Sequence, residues 1–72
     1  MKPHKHRDEQ SAARRWLVRV GVQDYDGEWW DRKYEVTAAD RHRALEAGAV
    51  KAREANRYAL AVQPYGATTR PR

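Results

Sequence analysis

Between residues 38 and 55 the chain repeats small side chains at helical spacing, and no other stretch restricts the fold as much. On a wheel of about 100° per residue, Ala38, Arg41, Leu45, Gly48, Ala49, Ala52 and Ala55 share one side, with Asp40, Arg43, Ala47, Lys51 and Glu54 opposite. A helix with an inner stripe of Ala and Gly has little bulk of its own to bury. It must lie close to a surface that supplies the bulk, and the Trp- and Tyr-bearing segments around it are the source. Gly48 costs about 1 kcal/mol of helix propensity relative to Ala, a loss that close approach to a strand explains. Thr37 is placed to cap the helix, its hydroxyl accepting from the amide of Asp40, while Asp40 suits a capping box and the positive end of the dipole. Asn56 is the expected stop.

Ahead of this helix, residues 16–22 alternate. Trp16, Val18, Val20 and Val22 make one apolar face, with Leu17, Arg19 and Gly21 on the other. This most apolar segment is expected to be the central strand. Residues 23–28 follow as a hairpin turn around Asp26-Gly27; Asp24, Asp26 and Glu28 serve turn chemistry there, because the other ligand positions of a calcium loop are missing. Residues 29–36 form the second strand, with Trp30, Tyr34 and Val36 turned to the helix, Arg32 at the margin, and Trp29, Asp31, Lys33 and Glu35 turned away. A third strand is expected at residues 58–62, with Tyr58, Leu60 and Val62 inward and Pro64 as its end.

The order strand, strand, helix, strand implies an α+β fold, a small two-layer ββαβ sandwich. A right-handed crossover makes strand three parallel to strand two, and an apolar central strand one gives the sheet order 2-1-3 with one helix on one face. Residues 15–65 are read as a single domain, residues 1–14 as a disordered basic arm and residues 66–72 as a flexible basic tail. About 50 residues make a marginal core without disulfide or metal. The absence of cysteine fits a reducing compartment, and with no apolar run or hydrophobic leader in view the expected location is cytoplasmic.

The chain has a net charge of +5, but residues 16–65 hold eight basic against eight acidic side chains. The excess therefore sits in the arms, on Lys2, Lys5, Arg7, Arg14, Arg15, Arg70 and Arg72, where it would meet phosphate or an acidic surface. The other face of the sheet is left without cover. It is expected to carry Leu17, Arg19, Trp29, Lys33, Ala59, Ala61 and Tyr65, mixed with Asp31 and Glu35, an arrangement suited to stacking bases, to pairing two copies of the chain, or to holding a partner protein.

Catalytic chemistry is not in evidence. The single serine, Ser11, lies in the arm, and His42 sits among Arg41 and Arg43 on an exposed helix flank. His4 and His6 have no third ligand nearby in sequence, and nothing implies a metal or cofactor. Arg41, His42, Arg43, Lys51, Arg53 and Arg57 would suit a groove-reading helix, but Asp40, Glu46 and Glu54 among them indicate a solvated face. The expected function is that of a non-enzymatic binding module acting on nucleic acid or a nucleoprotein complex, with Arg14, Arg15, Arg19, Trp29, Lys33, Arg70 and Arg72 as contacts. The alternative is a protein-binding inhibitor or adaptor, such as a phage-type accessory protein, using the same face or the acidic hairpin. The pattern of a hairpin followed by an Ala-rich helix is too general to define a family.

Overall fold

The computed structural model describes residues 13–69. Strand β1 (Arg14–Gln23) is the centre of a three-stranded sheet, flanked by β2 (Trp29–Ala38) and β3 (Ala61–Thr69) in the order β2-β1-β3. Both neighbours run antiparallel to β1, so β2 and β3 are parallel to each other, and helix α1 (Arg41–Ala55) connects them across one face. The expected two-layer α+β architecture is the one observed.

Alternation in β1 builds the core. Val18 and Val20 are completely buried, with Trp16, Val22, Val36, Ala38 and Ala67 around them, and burying each valine contributes about 1.5–3 kcal/mol. The Trp16 indole Nε1 donates to the Ala38 carbonyl at 3.0 Å, which satisfies the one polar atom of the largest buried side chain. Against this surface α1 places Ala44, Gly48, Ala49 and Ala52. A Cβ built on Gly48 would lie 2.7 Å from Cβ of Val18, so the helix backbone rests directly on β1. The small stripe is thus the condition for two-layer packing at this distance.

The hairpin follows turn chemistry. Gly27 has φ of 89°, Gly27 N–H donates to the Asp24 carbonyl at 3.0 Å, and Asp24 N–H donates to the Glu28 carbonyl at 2.9 Å. The Asp24 carboxylate accepts from the amides of Asp26 and Glu28 through Oδ1.

Three expectations are corrected. The helix cap is Asp40, which accepts from Arg43 N–H at 2.8 Å, and not Thr37. Thr37 and Ala38 instead continue β2 opposite Arg15 and Arg14, because pairing with β1 gives their backbone groups partners before a helix can begin. The third strand runs over Ala61–Thr69 in place of residues 58–62, leaving Tyr58 and Leu60 exposed while Val62 faces inward opposite Val22. Pro64 lies inside the strand because β3 is an edge and its register shifts there, with Val20 opposite Pro64 and Arg19 opposite Gly66. Finally, Arg14 belongs to β1 and Gly66–Thr69 to β3, not to loose arms. The rest of both expected arms, including Lys2, Lys5, Arg7, Arg70 and Arg72, lies outside the described residues. Asn56 ends α1 as expected, donating its side-chain amide to the Ala52 carbonyl at 2.7 Å.

Candidate functional site

The face of the sheet opposite α1 has no second layer among the described residues. Period-two alternation places Arg15, Leu17, Arg19 and Gly21 of β1 there, beside Trp29, Asp31, Lys33 and Glu35 of β2 and Ala61 and Gln63 of β3. Four of the expected contact residues, Arg15, Arg19, Trp29 and Lys33, therefore share one surface. Arg14 falls on the helix side of the sheet, opposite Ala38, and is exposed at the strand's start. Ala59, expected on this face, packs instead against the core cluster.

Tyr65 organises the surface. It is the extra residue at the β3 register shift, and its hydroxyl reaches across β1 to donate to Asp31 Oδ1 on β2 at 2.7 Å. The Arg19 guanidinium lies over its ring, 5.4 Å from the centroid. The hydrogen bond to the Asp31 carboxylate raises the Tyr65 pKa above its ordinary value; loss of hydration adds to this and the positive charge of Arg19 partly opposes it. Gly21 leaves room for the neighbouring indole: a Cβ there would come within 3.3 Å of Trp29 Cε3. Gly21, Trp29, Trp30, Asp31, Gln63 and Tyr65 together line a shallow hollow of about 450 Å³.

Charge on this face is mixed, with Asp31 and Glu35 on either side of Lys33 along β2. Arg19 and Lys33 stand directly opposite each other in the β1–β2 ladder, a like-charge pair that disfavours the sheet. Arg15 is held by Glu35 at 3.5 Å, an exposed pair that contributes at most about 1 kcal/mol. Half-exposed Trp29 and Tyr65 offer ring surface beside the two opposed cations. Such a surface can stack planar groups and accept an anion between Arg19 and Lys33.

The helix's outer face is a different kind of surface. Asp40 pairs with Arg43 at 3.7 Å, and His42 lies 3.3 Å from Glu46, so its cations are interleaved with carboxylates as the spacing indicates. Among the described residues no three His, Asp or Glu side chains gather to hold a metal ion, and no helix is long and apolar enough to cross a membrane.

Two residues were underweighted by sequence reasoning. Tyr65 is expected on this face but not among its contacts, because the proline before it reads as the strand's end. Trp30 was assigned to the core layer; its parity is right, opposite Val22, yet it is 48% exposed and its Nε1 donates to Asp24 Oδ2 at 2.7 Å. The helix ends at Ala55, too short to cover it. Compared with protein-family models, with curated proteins and with solved structures, the chain matches none.

Proposed function

We propose that the chain is a non-enzymatic binding module that holds nucleic acid, free or within a nucleoprotein complex, on its uncovered sheet face. The observation that carries this reading is the opposed pair Arg19 and Lys33 flanked by Trp29 and Tyr65. Two cations facing each other across a ladder cost stability, and a phosphate between them reverses that cost. The adjacent rings supply stacking, which any base can use. Arg14 lies at the sheet's margin and Arg15 shares this face with its partner Glu35, and the sequence adds Lys2, Lys5, Arg7, Arg70 and Arg72. A cytoplasmic setting goes with this reading, since the chain has no cysteine.

The test is a titration of intrinsic tryptophan fluorescence with nucleic acid at about 50 and about 200 mM salt. With one phosphate held between Arg19 and Lys33, that contact alone makes affinity fall about threefold over this range, and basic residues outside the face add to the slope. Absence of binding at low salt would sink the proposal. A second reading, a protein-binding inhibitor or adaptor that uses the same face or pairs two copies through it, draws on the neutral balance of residues 16–65. A partner captured from lysate that survives both nuclease and high salt would favour it.

A further inference from the structure

A second hollow, at the hairpin end of the sandwich, is not part of the uncovered face. Helix α1 stops at Ala55, and Asn56 folds back to donate to the Ala52 carbonyl and, at 3.0 Å, to the Tyr34 hydroxyl. The last helix-side rung of the sheet, Val22 against Trp30, thereby lies beyond the end of the helix. The cleft that results has a volume of about 400 Å³, at the small end of the roughly 300–1,000 Å³ typical of ligand sites. Trp30, Arg32, Arg57 and Tyr58 line it above Val22 and Asn56.

Its chemistry is aromatic and cationic. Tyr58 is 87% exposed and Trp30 about half exposed, apolar area that a chain with so small a core leaves in water. The Trp30 indole is fixed by its bond to Asp24, and the Arg32 guanidinium lies 5.9 Å from the ring centroid. Asp24 is the one carboxylate in the lining. It already accepts from three donors, the amides of Asp26 and Glu28 and the Trp30 indole, so Arg32 and Arg57 are left to face a ligand's charge. Side-chain hydrogen bonding with Asp26, and then the indole, holds the Asp24 pKa below its ordinary value, while the same pairing raises that of Asp26. Trp30 also lines the hollow of the uncovered face, so the two concavities meet at this residue.

We propose that the end hollow is a base-binding subsite continuous with the uncovered face, and that the ligand is therefore a single strand, with one base on Trp30 and Tyr58, its phosphate toward Arg57, and neighbouring nucleotides on Trp29 and Tyr65. The inference rests on the nucleic-acid reading of that face and narrows it. In a duplex the base faces are covered by their neighbours, so exposed rings at two adjoining hollows are useful only to a strand whose bases are unstacked. Guanidinium groups beside the rings match the charge of such a strand.

The experiment compares a thymidine oligomer of about 12 nucleotides with a duplex of the same length, both titrated against the full chain and its Tyr58→Ala and Arg57→Gln variants. Tyr58 is so exposed that truncating it leaves the core intact. The single strand should bind more tightly than the duplex. Tyr58→Ala should weaken single-strand binding roughly 5- to 150-fold, the worth of one stacked base, and leave duplex binding unchanged. Arg57→Gln should lower the salt slope by about 1. Equal, salt-sensitive binding of both forms, unaffected by Tyr58→Ala, overturns the subsite and leaves the uncovered face as the interface. No binding of either form overturns both, and quenching by an acidic peptide in that case would assign the hollow to a protein.

Discussion

Replacing Gly48 by Ala should destabilise the fold, although the same change in an exposed helix adds about 1 kcal/mol of stability. The reason is distance. The added Cβ would lie 2.7 Å from Cβ of Val18, against the roughly 3.5–4.0 Å at which carbon atoms rest, and Val18 is completely buried and cannot turn aside. Relief requires α1 to move away from β1 by about 1 Å, which loosens Ala44, Ala49 and Ala52 together. Overpacking of this kind costs about 1–3 kcal/mol and more where backbone must shift, so it exceeds the propensity gain. The expected net loss is about 1–2 kcal/mol. In a domain of this size that lowers Tm by roughly 4–16 °C, measured by circular dichroism, with tryptophan emission reporting Trp16. Val18→Ala should cost less in the Gly48→Ala background than in the parent, because it removes the γ-methyls that crowd the new Cβ while leaving the Cβ contact. A Gly48→Ala protein more stable than the parent, with an unchanged urea m-value, would refute the placement of α1 on β1.

Two other outcomes follow from the uncovered face. Lys33→Glu turns the like-charge pair with Arg19 into an attractive one; it should raise stability by about 0.2–1 kcal/mol and weaken nucleic-acid binding, and a variant that moves both in the same direction contradicts the role given to the pair. Tyr65, whose titration is raised mainly by its bond to Asp31, should ionise above the ordinary tyrosine value in a spectrophotometric titration. Because its pKa is raised in the folded state, its contribution is complete below the ordinary value of 10.0 and is lost as pH climbs through the folded value. Asp31→Asn should bring the titration of Tyr65 back toward the ordinary tyrosine value.

Much of the site was legible because strand periodicity is local. Once residues 16–22 and 29–36 are read as paired strands around a tight turn, parity alone puts Arg19, Trp29 and Lys33 on the same side and the valines on the other. The helix stripe was legible for the same reason, and Gly48 carried its own explanation. Thr37 and Asp40 show where local reasoning stops. Both are good caps, and the choice between them depended on how far β2 stays paired with a strand more than twenty residues away. Tyr65 shows it again, since Pro64 ends a strand only when its missing N–H is needed, and on an outer edge it is not.

The sequence by itself determined that a small-residue helix would lie on an alternating apolar hairpin, because both patterns repeat within a few residues and admit one buried face each. Tertiary structure alone decided the register of β3, the bulge that sends Tyr65 across β1 to Asp31, and the exposure of Trp30 and Tyr58 around an open hollow. Each of these depends on how element lengths match once packed, and length mismatch is a property of the assembled layers, not of any one segment.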